Sequence, residues 1–257
     1  MWKKTFFDYL SLERNYSSRT TEGYRDDLNA FESFYKKVDS ALSWETVDGD
    51  IVRDWMVSMM EAGLTASTVN RRLSALRTFY RYLLKREWVE IDPVRGVRGP
   101  KKKKSLPVFL KESEMDRLLD GDFFGNDFKG KRDRLIVNMF YVTGVRLSEL
   151  TGLDVHDVDM AGCVIRVNGK RNKQRIVPFG DELGLLLEDF LNEMYSLRGA
   201  DRGPMFIDEK GDRLKDVKVR ELVRHYLGME TKKKKRSPHV LRHTFATSML
   251  NHHADLE

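Results

Sequence analysis

Near the end of this 257-residue chain, the stretch Ser237-Pro-His-Val-Leu-Arg-His-Thr-Phe-Ala-Thr-Ser-Met-Leu250 sets His239 and Arg242 three residues apart. On a helix these two side chains share a face and can reach one small target. Ser237 suits the N-cap and Pro238 the first turn, where a missing N–H costs nothing. A guanidinium, an imidazole and the positive end of a helix dipole together favour a phosphate-like anion. A second stretch, Tyr141-Val-Thr-Gly-Val-Arg-Leu-Ser-Glu-Leu150, supplies another cation, since Gly144 breaks an apolar helix and Arg146 starts the next. Neither arginine can lose its charge at cellular pH, so the pair could hold a phosphate ester while negative charge builds on its oxygens.

Read together, Thr143-Gly-Val-Arg-Leu-Ser-Glu-Leu150 and His239-Val-Leu-Arg-His-Thr-Phe-Ala-Thr247 resemble the catalytic domain of the tyrosine recombinase (phage integrase) family, in its Xer-like branch. The resemblance implies site-specific cutting and rejoining of DNA through a 3′-phosphotyrosine, with no cofactor and no metal. It makes Arg146 and Arg242 the two catalytic arginines and His239 a donor to the phosphate that also aids the attacking hydroxyl. Lys170, in Gly169-Lys-Arg-Asn-Lys-Gln-Arg175, matches the family's hairpin lysine, the general acid toward the leaving 5′-oxygen. A lysine crowded by other cations can take a shifted pKa. Arg171 stands where glycine is usual, which keeps Lys173 as a second candidate. Glu149, one turn after Arg146, either orients an arginine or forms a surface ion pair.

The family pattern continues with a Gly-His pair and then the nucleophilic tyrosine, whereas no tyrosine follows Thr231 here. Tyr226 precedes the motif helix, and His252 and His253 lie too close to Arg242 to be the later histidine. The expectation is a chain truncated before its nucleophile, with Leu256-Glu257 native or vector-derived, that binds a site without cutting it.

These side chains need elements to carry them, and the first half supplies helices. Residues 2 to 98 place aromatic and aliphatic residues at helical spacing, as in the stripes Tyr24, Leu28, Phe31, Tyr35 and Ile51, Trp55, Met59. From Ala62 to Arg86 there are six basic residues and no acidic one, against ten basic and fifteen acidic in the rest of residues 1 to 98. Val69, Leu73, Leu76, Tyr80 and Leu83 fall on one side of that helix, and Asn70, Arg71, Ser74, Arg77, Arg81 and Lys85 on the other. A face of this kind can enter a DNA major groove with Arg and Lys on the phosphates. The same stretch resembles the last helix of the family's N-terminal core-binding (SAM-like) domain.

Turn formers and like charge at residues 92 to 106, including Pro93, Gly96, Gly99, Pro100 and Lys101 to Lys104, mark a boundary. The expected division is a helical DNA-binding domain over 1–98, a basic linker over 99–106 and a catalytic domain over 107–257. In the family, two such domains form a C-shaped clamp on duplex DNA. The second domain reads as helices around one β-hairpin, Cys163–Val167 with Arg175–Phe179, and further helices at 182–197 and 216–228, the last closed by Gly228. The fold class is therefore mainly α with a small β-sheet, a SAM-like helical domain followed by an α+β catalytic domain.

Composition narrows the partners. With 46 Lys and Arg against 40 Asp and Glu, the net charge is +6 and hints at a polyanion. The single Cys163 rules out an internal disulfide framework and fits a reducing cytoplasm. No apolar run is long enough to span a bilayer. The partners expected are a double-stranded DNA recombination site and, for the full-length protein, further copies of itself on DNA. Two rival readings are a non-catalytic DNA-binding regulator and a metal site at His239 and His243, for which the helix offers no carboxylate base.

Overall fold

Side-chain caps decide where the first helices begin. In a computed structural model that describes residues 2–102, 108–169, 173–198, 202–231 and 235–251, Ser17 accepts a bond from Thr20 N at 3.3 Å to open α2 (Ser18–Val38). Asp48 does the same for α3 (Gly49–Glu61), from Asp50 N at 2.9 Å, and Thr65 for α4 (Ala66–Lys85). A first helix, α1 (Trp2–Asp8), runs on into a π-helical turn at Tyr9–Glu13.

The chain divides into two units, Met1–Ser105 and Leu106–Glu257. In the first, Val69, Leu73, Leu76, Tyr80 and Leu83 of α4 are all buried, as their spacing requires. They meet an aromatic core in which Phe79 lies edge-on to Phe6 and Trp44, with centroids at 5.0 and 4.8 Å. Ring pairs of this geometry add about 0.5 to 1.5 kcal/mol each beyond burial. Tyr80 keeps its hydroxyl satisfied on Trp44 O at 3.0 Å.

Residues 94 to 100, the end of the expected first domain and the start of the expected linker, lie against α4. Val94 and Val97 are buried in the same core, and Arg77 Nη2 donates to Val97 O at 2.7 Å while Asn70 Nδ2 donates to Pro100 O at 2.8 Å. The turn formers at 93 to 100 fold the chain back over α4 instead of releasing it. Gly99 passes so close to Asn70 that a Cβ would overlap its side chain.

The second unit is built on α6 (Phe128–Thr143), opened by Asp127 capping Gly130 N at 2.9 Å. Leu135, Ile136, Val137, Met139 and Phe140 are wholly buried, because α8 (Asp181–Arg198) and α10 (Pro238–Asn251) both pack against this helix. The remaining helices are α5 (Glu112–Asp120), the short α7 (Leu147–Thr151) and α9 (Asp216–Glu230). Gly228 was expected to end α9, yet the helix continues to Glu230. The Arg236 side chain crosses over Gly228, so the glycine leaves room for a neighbour inside the helix.

The hairpin pairs β2 (Val164–Asn168) with β3 (Gln174–Pro178), antiparallel, Ile165 opposite Val177 and Val167 opposite Arg175. A third strand, β1 (Val158–Asp159), joins the other edge of β2. Two residues are too few to show alternation, which is why the sequence gives no sign of it.

Gly144 closes α6 in the left-handed region at φ 57°. The Phe245 ring of α10 lies against it, leaving no space for a Cβ. Gly144→Ala is therefore expected to destabilise the second unit by at least about 1 kcal/mol, from backbone strain and displacement of Phe245. Urea denaturation checks this, and an unshifted midpoint would contradict it.

Candidate active site and nucleic-acid interface

A buried carboxylate gathers the cations of the second unit. Glu149, 2% exposed, sits at the third position of α7 and accepts the backbone N–H of Arg146 at 2.8 Å, the reciprocal half of a capping box. Its Oε1 also accepts Arg146 Nη1 at 2.7 Å, and its Oε2 accepts Arg175 Nη2 at 2.9 Å. Burial pushes the Glu149 carboxyl up, but the bonds from Arg175 and from the Arg146 backbone and side chain outweigh it and hold the group below the usual carboxylate range.

Arg242 arrives from α10, nearly a hundred residues later. Its Nη1 donates to the Gly144 carbonyl, two residues before Arg146. Burial and the nearby guanidiniums of Arg146 and Arg175 lower the Arg242 pKa, while Glu149 partly offsets them. Pro238 at the first position of α10 and Thr244, whose Oγ1 accepts Leu110 N at 3.0 Å, fix the helix that carries it. His239 lies one turn before Arg242 on the same side of α10 and is exposed.

Arg146, Arg175 and Arg242 thus cluster over one sunken carboxylate, with Arg146 and Arg175 open to solvent. Like charges held this close favour an anion among them. Lys170 lies outside the described residues. The neighbouring Gly169 stands close to the cluster, since a Cβ there would lie 3.5 Å from Glu149 Oε1. Lys173 is exposed, and its carbonyl accepts Gly169 N at 2.8 Å.

Arg175 escaped the sequence reading as a site residue. Strand parity gives the signal that would have found it, because Arg175 shares a face with Val177 and stands opposite Val167, both buried. An arginine on the core face of a strand needs a buried anion.

In the first unit, the polar face of α4 divides. Arg81 and Lys85 are exposed, as is Arg71, which is braced by Asp27 of α2 through Nη2 to Oδ1 at 2.8 Å and a second contact from Nη1. Burial raises the Asp27 carboxyl, and Arg71 and Arg72 oppose that. Asn70 and Arg77 are half-buried and hold the 97–100 segment instead.

A basic helix in one unit and clustered arginines in the other suit a polyanion such as DNA. The Phage integrase family matches residues 108–257, and the SAM-like N-terminal domain of phage integrases matches residues 4–87. Tyrosine recombinase XerC of Pelotomaculum thermopropionicum is 36% identical, with 98% of this chain and 85% of that protein covered. The XerC of Staphylococcus epidermidis is 35% identical, with 99% and 85% covered. The crystal structure of XerA recombinase matches at 26% identity and a TM-score of 0.51, covering 99% of this chain and 85% of that one. A XerH site-specific recombinase bound to palindromic difH substrate shares the fold at 24% identity and a TM-score of 0.76, covering 94% and 72%. The chain belongs to the phage integrase family and is a tyrosine recombinase of Xer or integrase type.

Glu149 provides a pH test. Its folded pKa lies below the ordinary 4.5, so its stabilisation is complete above that value and is lost as pH falls through the lower folded value. Glu149→Gln should cost the second unit about 3 kcal/mol at neutral pH, with the deficit shrinking in acid. Denaturation across pH reads this, and a deficit independent of pH would contradict it. On α4, Arg81→Ala and Lys85→Ala should each flatten the salt dependence of DNA binding by about one unit of log–log slope. Arg77→Ala should instead lower the melting temperature of the first unit; a change in salt slope with no change in melting would reverse that assignment.

Proposed function

We propose that this protein is a site-specific recombinase whose second unit holds one scissile phosphate between Arg146 and Arg242. The observation that carries the reading is the cluster of guanidiniums over Glu149, assembled from α7, β3 and α10. In the reaction, a tyrosine hydroxyl attacks phosphorus and displaces the 5′-oxygen of one strand, leaving a 3′-phosphotyrosine. The 5′-hydroxyl of the partner strand then attacks that bond and frees the tyrosine. Because the ester energy is kept in the phosphotyrosine, no metal, nucleotide or other cofactor is needed. Arg146 and Arg242 neutralise the charge on the non-bridging oxygens. His239 donates to the phosphate and assists the attacking hydroxyl, and Lys170 gives its proton to the leaving oxygen.

Two tyrosines of the second unit, Tyr226 and Tyr141, are poor nucleophiles for this role. Tyr226 is buried, stacks on Phe124 at 4.3 Å and bonds Asp133 at 3.4 Å, with its phenol pushed up to about 12. Burial also raises Tyr141, and Tyr195 lies on α8. The first unit, through Arg71, Arg81 and Lys85 with Asn70 and Arg77 behind them, grips the flanking duplex, and copies of the protein pair on DNA to exchange strands in the cytoplasm. The non-catalytic regulator has no comparable use for arginines converging from three elements.

The test uses the full-length protein and a nicked duplex chosen by selection from random sequence. A covalent protein–DNA adduct should form, and Arg146→Ala or Arg242→Ala should slow it by about 10²-fold or more. Adduct formation at an undiminished rate in either variant would refute the assigned roles. A regulator would give salt-sensitive binding with no adduct at all.

A further inference from the structure

Arg175 has no part in the reaction described so far, yet it ties the β-hairpin to the turn that carries Arg146. α7 has five residues, too few to fix its own direction without outside contacts. Its far end is held, with Thr151 Oγ1 on Asp216 Oδ1 at 2.8 Å and Arg213 Nη1 on Thr151 O at 3.0 Å. Its near end depends on Glu149, which grips Arg146 by backbone and side chain. The further donor to Glu149 comes from another element, Arg175 Nη2 on β3.

Charge makes the same point. Glu149 orients Arg146 but subtracts from the positive field that must receive a phosphate. Arg146 and Arg242 with Glu149 leave one net positive charge, and Arg175 raises this to two. A phosphodiester brings a single negative charge, and more charge develops on its oxygens during attack. Arg175 is the right residue for this, since its fixed charge survives at any working pH and its planar fork matches a carboxylate.

We propose that Arg175 is a positioning residue of strand cleavage: acting through Glu149, it fixes the Arg146 guanidinium and restores the positive charge that Glu149 removes from the phosphate pocket. This rests on the recombinase reaction proposed above. Arg175 works on the carboxylate and not on the DNA, so its contribution depends on Glu149 being ionised.

A double-mutant cycle on the full-length protein tests this, with Arg175→Gln, Glu149→Gln and the pair assayed for DNA affinity and for single-turnover adduct formation. Arg175→Gln should slow adduct formation by about tenfold or more while leaving affinity nearly unchanged, and should cost only about threefold or less in the Glu149→Gln background. Arg175→Lys, which keeps the charge, should recover most of the rate, and Arg175→Met takes the place of the glutamine variant in the cycle if that one fails to fold. Equal losses in both backgrounds would overturn the proposal, because Arg175 would then act on DNA by itself, and so would a loss confined to affinity. An unsubstituted protein that forms no adduct overturns the parent reaction and this inference with it, an outcome distinct from an additive cycle in an active enzyme.

Discussion

One ion-pair network sets the geometry on which the second unit depends. A carboxylate taken out of water must be compensated on every side, or it costs several kcal/mol. Glu149 meets that demand with a backbone N–H and two guanidiniums. The requirement works in reverse as well, since the arginines that satisfy Glu149 are held in place by it. Flexible cations that would otherwise spread into solvent are kept together, with Arg146 and Arg175 still open to solvent. Arg242 is fixed by a different device, the carbonyl of Gly144 freed where α6 ends. The left-handed glycine that breaks α6 therefore both turns the chain toward Arg146 and presents an acceptor to the arginine of α10.

The packing beneath explains why such a site stays in shape. α6 is buried on nearly all sides between α8 and α10, and it also holds the Arg132–Asp133 pair, with Arg132 Nη1 on Ile207 O at 2.8 Å. Residues that converge on the site come from the end of α6, the start of α7, the strand β3 and the first turns of α10. Each of these is an edge of the core, where a polar group can be anchored at its base and open at its tip. The first unit follows the same logic on α4, where the buried Asp27 of α2 braces Arg71 while Arg81 and Lys85 remain exposed.

How much of this could be read from residues alone depended on the range of the signal. The core side of α4 and the proline start of α10 are local matters of period and cap, and they appear where Val69 to Leu83 and Ser237-Pro238 place them. The motifs around Arg146 and Arg242 are short and local, so residue types and spacing alone singled out two arginines that lie close together in the fold. Arg175 went unassigned since its partner lies 26 residues away, and only strand parity hinted that it points inward. The bonds of Asn70 and Arg77 to the 97–100 segment were hidden for a similar reason: helical spacing gives the face of a side chain but not the segment that returns to meet it. Gly228 misled in the opposite sense, because a glycine inside a helix can serve a passing neighbour as well as an end.

The most direct test of the central claim is a structure of the protein bound to a duplex carrying an uncut site. The guanidiniums of Arg146 and Arg242 should lie within about 3 Å of non-bridging oxygens on the same phosphate, with Glu149 still bonded to Arg146 and Arg175. Finding the two arginines on separate phosphates, or Glu149 released from Arg146 in the complex, would contradict the account.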